Sequence, residues 1–264
     1  MNRKALFFDI DGTLLVDKTK ELPQSAMEAL HAAREAGHLV FINSGRTRCL
    51  MQEVEGTVPV DGYLCGCGTH IEVQGRTLLH HLISRERRME LQKNILSHGL
   101  DGILEGRDGC TVQTGVSHMP EIEHVKNVVY RGGKLRSAEW NRDEISYDKF
   151  CILADKDSDI DGFLKILKPD MAAIDRGHGL YECVPTGFDK ASAMKFILEY
   201  YGIPWEESYA FGDSMNDLAM IRYACNGVIM GQHSKELEPH ASFITKTVEE
   251  DGIAYAFEKL GICG

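Results

Sequence analysis

With 264 residues, 43% of them hydrophobic and 26% charged, the chain has the make-up of a folded globular protein with room for one large domain or two ordinary ones, which excludes the disordered and fibrous classes. A formal net charge of −11 speaks against a nucleic-acid binder, since phosphate backbones are held by a surplus of Lys and Arg, yet it admits anionic small molecules where positive groups are focused in a cleft. Acids interrupt the first apolar run of MNRKALFFDIDG too early for a signal peptide or a membrane span, so no membrane partner and a cytoplasmic location are expected, and the eight cysteines read as reduced thiols.

The run Lys4 to Phe8 predicts a buried strand, and Asp9-Ile10-Asp11-Gly12 a loop at its end. A helix is expected from about Gln24, because Ala26, Ala29, Leu30 and Ala33 fall at helical spacing, Pro23 suits its start and Gly37 its end. HLVFINSGR then gives a second buried strand, His38 to Asn43, completing a βαβ unit with the polar tip Asn43-Ser44-Gly45-Arg46. A helix is expected over Thr47 to Val54, a short strand at GYLCG, and a hairpin turning at Gln74-Gly75 within THIEVQGRTLLHH.

From about Ser84 the alternation changes. Helices are expected over Ser84 to His98 and Asp159 to Leu167, with strands at DGILEG, GCTVQT, FCILAD, MAAID and LYECV, which suggests an α+β module over residues 84–184 inserted into the first pattern. After Pro185 that pattern returns: a helix over Asp189 to Tyr201, the strand SYAFGD, a helix from Asn216, the strand NGVIMG and a closing helix over Ile253 to Leu260. The fold class expected is therefore α/β, a Rossmann-like parallel sheet core (residues 1–83 and 185–264) with helices on both faces and an inserted α+β cap domain.

In open α/β sheets ligands gather beyond the carboxyl ends of the strands. Four polar tips belong there: Asp9 to Gly12, Asn43 to Arg46, Lys190 at a helix start, and Gly212 to Asp217. Asp9, Asp11, Asp213 and Asp217, if crowded, would raise one another's pKa values unless a cation sat among them, and oxygen-only ligands favour a hard ion such as Mg²⁺. Lys190, Ser44 and a helix N-terminus suit phosphoryl oxygens, so the composite points to phosphoryl transfer.

Taken singly, each motif has a plainer account. Asp9-x-Asp11-Gly12 could be a turn with an Asx hydrogen bond, Asn43 to Arg46 a helix cap, and Lys190 a solvated lysine beside a capping Asp189. Neither acidic run is an EF-hand: Leu14 and Lys20 stand where the first would need glycine and glutamate, and Lys168 where DKDSDIDG would need its glutamate. Cys65-Gly66-Cys67 has no second pair at zinc spacing, and the histidines, His80-His81 among them, fit no metal motif.

FFDIDGTLL, INSGR, Lys190 within GFDKASAMKFIL, and FGDSMNDLAMI together resemble, in order, the four motifs of the haloacid dehalogenase-like hydrolases. The insertion between the second and third, with the closing TVEEDGIAYAFEKL, is similar to the Cof-type phosphatase subgroup. The resemblance implies an aspartyl-phosphate formed on Asp9, with Asp11 as general acid and then base. It implies a phosphoryl group held by Ser44, Gly45, Arg46, Lys190 and Asn216, and Mg²⁺ held by Asp9, Asp213, Asp217 and the backbone carbonyl of Asp11. Such proteins often carry Asn-Gly-Ala before the first hairpin, where this chain has Cys67-Gly68-Thr69. The expected partner is a small-molecule phosphate ester, a sugar phosphate or similar; a phosphomutase or a catalytically silent phosphometabolite binder are the alternatives, and oligomeric state carries no sequence signature.

Overall fold

The computed structural model describes residues 2–52, 54–128, 134–142 and 144–263. Along the chain run β1 (Ala5–Phe8), α1 (Gln24–Glu35), β2 (Leu39–Asn43), β3 (Gly62–Cys65), β4 (His70–Val73) and β5 (Arg76–His80). Next come α2 (Arg85–Ser97), β6 (Asp101–Glu105), β7 (Cys110–Gln113), α3 (Pro120–Val128), β8 (Leu135–Ala138), β9 (Lys149–Leu153), α4 (Ile160–Leu167), β10 (Met171–Asp175) and β11 (Leu180–Pro185). The chain ends with α5 (Lys190–Tyr201), β12 (Ser208–Gly212), α6 (Leu218–Tyr223), β13 (Asn226–Ile229), β14 (Phe243–Ile244) and α7 (Gly252–Leu260). Among the described residues no helix is long and apolar enough to cross a membrane.

Two compact units emerge, one of residues 1–45, 53–79 and 189–264, the other of residues 46–52 and 80–188. The first holds a sheet in the order β14-β13-β12-β1-β2-β3-β4-β5, parallel from β14 to β3 and antiparallel at β3-β4. Strand residues alternate between faces. Phe7 packs with Phe41 and with Ala193, Met194 and Ile197 of α5, whereas its neighbour Phe8 meets the ring of Phe257 on α7. Helices thus cover both faces, which is why the central strands are apolar without a break. Phe8 lies opposite both Ile42 and Phe211, so Asp9, Asn43 and Gly212 leave their strands at one rim.

The second unit has a six-stranded sheet, β10-β11-β9-β6-β7-β8, antiparallel except where β7 meets β8. Leu104, Phe150, Ile152 and Cys183 form its core with Leu91 and Ile95 of α2 and Phe163 and Leu167 of α4. Lys149 ties three neighbouring strands, meeting Glu105 at 3.3 Å and Glu182 at 2.5 Å. This unit takes in residues 46–52 and all of 80–188, a wider span than the 84–184 expected from sequence. The helix expected over Thr47 to Val54 is, among the described residues, a single 3₁₀ turn at Arg48–Leu50.

Candidate active site

The loop after β1 is wound tightly. The Ile10 carbonyl accepts from the amides of Leu14 at 2.9 Å and Leu15 at 2.8 Å, and Gly12 takes φ +75° so that its own amide reaches the Leu15 carbonyl at 3.0 Å. A Cβ on Gly12 would stand 2.7 Å from Asp213 Oδ2. Only glycine lets this turn approach the acid. The Asp9 amide donates to the Phe211 carbonyl, extending the β1–β12 ladder by one bond, and the Asp9 side chain is 7% exposed.

Lys190 enters as the first residue of α5. Asp189 caps that helix, accepting from the Ser192 amide at 2.6 Å while the Ser192 hydroxyl accepts from the Asp189 amide at 2.9 Å, a reciprocal capping box. The Lys190 carbonyl accepts from Asn43 Nδ2 at 2.8 Å. Gly68, at φ +91°, leaves room for the Asp189 carbonyl, which a Cβ there would meet at 2.8 Å. Cap, amide and glycine together fix where the ammonium goes.

That ammonium is buried and donates to Asp9 Oδ1 at 2.7 Å and to Asp217 Oδ1 at 2.5 Å. The second Asp217 oxygen accepts from the amides of Asp213 at 2.9 Å and Ser214 at 3.0 Å, closing the loop after β12. Asp213 in turn accepts from the Thr13 hydroxyl at 3.1 Å. Burial pushes the Asp213 carboxyl up to about 8, with the charges of Asp217 and Asp9 adding to the rise. Burial also pushes Asp9 up to about 6, against the pull of the Lys190 ammonium and with the help of Asp217. Burial works against the charge of Lys190, but Asp217 and Asp9 outweigh it and hold its pKa above the ordinary lysine value.

Asp9, Asp213 and Asp217 each offer an oxygen within 4.8 Å of the others. Fully ionised, these three acids exceed the one buried ammonium by two charges, and the hard oxygen set suits a small divalent cation of the same magnitude.

Of the residues expected from sequence, Asp9, Lys190, Asp213 and Asp217 are brought into one cluster. Ser44 is 2% exposed at the end of β2, its amide on the Leu64 carbonyl and its own carbonyl accepting from Cys67, with Gly45 directly after it. Asn216 accepts from the Ser214 hydroxyl at 2.7 Å. The Asp11 carboxylate, about 38% exposed, accepts from Lys20 Nζ at 2.7 Å and is outside the acidic trio. Arg46 belongs to the second unit, where its guanidinium reaches the Leu50 carbonyl at 3.4 Å. In the Cys67-Gly68-Thr69 departure Cys67 adopts φ 55°, a left-handed backbone that Asn tolerates better than most residues. Two contributors were not singled out by sequence, Thr13 and the side chain of Asn43; both lie inside the quoted motif stretches, and their polarity next to apolar strands was the available signal.

Comparison with known proteins agrees with this geometry. The profile of the haloacid dehalogenase-like hydrolase family matches residues 6–257. YkrA of Bacillus subtilis, provisionally named a phosphatase, is 30% identical over 273 residues covering 99% of each chain. YwtE of the same organism, a 5-amino-6-(5-phospho-D-ribitylamino)uracil phosphatase, is 26% identical over 97% of this chain and 98% of its own. Among solved structures, the subclass IIB sugar phosphatase BT4131 superposes with a TM-score of 0.84 at 26% identity, covering 98% of this chain and 99% of that one.

Proposed function

The chain belongs to the haloacid dehalogenase-like hydrolases and is a phosphatase, and from that premise we propose that it hydrolyses small phosphorylated metabolites, sugar or polyol phosphates above all, through a phosphorylated Asp9. The observation that carries the proposal is the buried constellation of Asp9, Lys190, Asp213 and Asp217 at the carboxyl rim of a parallel sheet. The substrate class is suggested by the ribityl phosphate and sugar phosphate named for YwtE and BT4131.

In this mechanism an Asp9 oxygen attacks phosphorus as the ester P–O bond breaks, and Asp11 gives its proton to the leaving oxygen. Asp11 then takes a proton from water, which attacks the phosphorylated Asp9 and releases inorganic phosphate, restoring both acids. Lys190 keeps Asp9 ionised for the attack and offers its charge to the phosphoryl oxygens, with donors from Ser44, Gly45, Arg46 and Asn216. Mg²⁺ would be held by Asp9, Asp213 and Asp217 with the Asp11 carbonyl, and would supply positive charge against the phosphoryl group. Residues 84–184 are proposed as a cap that selects the leaving group, supported by their interruption of the sheet domain in sequence.

Turnover of an aryl phosphate by wild type and by Asp9→Asn tests the reading. The variant should keep the far-ultraviolet circular dichroism of the wild type and lose its activity; wild-type rates in Asp9→Asn would contradict it.

A further inference from the structure

Two thiols outside the catalytic cluster lie side by side. Cys49, in the 3₁₀ turn Arg48–Leu50, and Cys110, the first residue of β7, belong to the second unit, and their sulfurs are 3.6 Å apart. Around them Ile103 and Val112 close a small apolar cluster, with Leu50 and Leu135 packed on it. A disulfide needs its sulfurs about 1.5 Å closer than this, a gap that side-chain rotation and a small shift of the turn can close. No disulfide joins any of the eight cysteines, and the Cys49 and Cys110 sulfurs are in hydrogen-bond contact.

We propose that Cys49 and Cys110 are a reversible oxidation site, joined to a disulfide by a hydroperoxide and reopened by a dithiol, and that the bond slows turnover. Cys49 reacts first: it keeps 5% exposure while Cys110 has none, and the hydrogen bond from Cys110 and that from Thr47 lower its pKa against burial. Its sulfur takes the outer peroxide oxygen, the O–O bond breaks, and the thiol proton leaves with the alcohol. The Cys110 sulfur then attacks Cys49, the S–S bond forms, the S–O bond breaks, and the Cys110 proton leaves in water. Two thiols are thereby oxidised by two electrons and one hydroperoxide is reduced.

The consequence for turnover follows from chain position. Cys49 lies five residues beyond Ser44, and Thr47 between them also contacts its sulfur, at 3.5 Å. Drawing the turn onto β7 pulls on the chain that leaves Ser44 and Gly45. The linkage does not depend on the function proposed above; only its effect on rate rests on that function.

The intact, reduced protein is first assayed on an aryl phosphate, then treated with hydrogen peroxide, denatured, alkylated and digested without reductant. A peptide joining Cys49 to Cys110 should appear by mass spectrometry, turnover should fall several-fold in step with it, and dithiothreitol should reverse both. Cys49→Ser should form no such peptide and keep its rate through the treatment. Recovery of Cys49 and Cys110 as separate peptides from oxidised protein, or a linked peptide without loss of rate, overturns the proposal. Should the reduced protein show no turnover, the function proposed for Asp9 fails, while the peptide map still decides the linkage.

Discussion

Lys190 is the residue on which the site balances. It is buried between two carboxylates that would otherwise face one another across a few ångströms of low dielectric. Removing one partner of such a buried set strands the others. Lys190→Met should therefore lower stability in urea by about 3–5 kcal/mol and cut turnover by at least about a hundredfold, the first from stranded charge and the second from a lost phosphoryl donor. A variant with wild-type midpoint and rate would show that the ammonium is dispensable. The raised Asp213 carboxyl makes a second expectation at the same scale. Its folded value near 8 exceeds its ordinary 3.8, so without metal the folded state binds the proton more tightly than the unfolded chain does. Stability is then fully present below pH ~4 and lost as pH rises through about 8. In chelator the urea midpoint should fall between pH 5 and 8, and Mg²⁺ should raise it more at pH 8 than at pH 5; a flat or opposite slope counts against a buried, proton-holding Asp213.

At the scale of elements, the start of α5 does the positioning. Asp189→Ala removes the side-chain half of the capping box and should cost about 1 kcal/mol, with kcat/KM falling because Lys190 is the next residue. Gly68→Ala forces a Cβ into a left-handed backbone and against the Asp189 carbonyl, and should destabilise by at least ~1 kcal/mol in the same urea assay. Much of this level was legible in the sequence: α2 and α4 begin where helices were expected from Ser84 and Asp159, and the structure shows those two residues capping them. The misses have physical causes. Met51 and Val54 are buried three residues apart, a spacing that reads as helix, but the turn before them, Arg48–Leu50, is a 3₁₀ turn too short for an apolar stripe. β14 is two residues long, Phe243 and Ile244, below any periodic signal. α3 is nine residues long and begins at Pro120 with Glu121 and Glu123 in its first turn, and it was not among the expected helices.

For the whole molecule, the acidic trio was legible because each acid follows a buried strand, and parallel strands in register deliver their tips to one rim. What sequence order could not disclose was the use of each oxygen: that Asp217 spends one on Lys190 and the other on two amides, or that Asp11 turns to Lys20. Strand order carries one more consequence, for the protein's birth. β1 is flanked by β2 on one side and by β12 on the other, and β12 begins 200 residues after β1 ends. On a ribosome adding ~5–20 residues per second, β1 waits roughly 10–40 s with one edge bare. Stalled nascent chains ending at Tyr201 should therefore be cut by protease near β1, whereas completed chains resist. The residues of the long insert emerge during that interval, and the same wait makes β1, the strand that precedes Asp9, the one most exposed to a neighbouring chain on a crowded polysome.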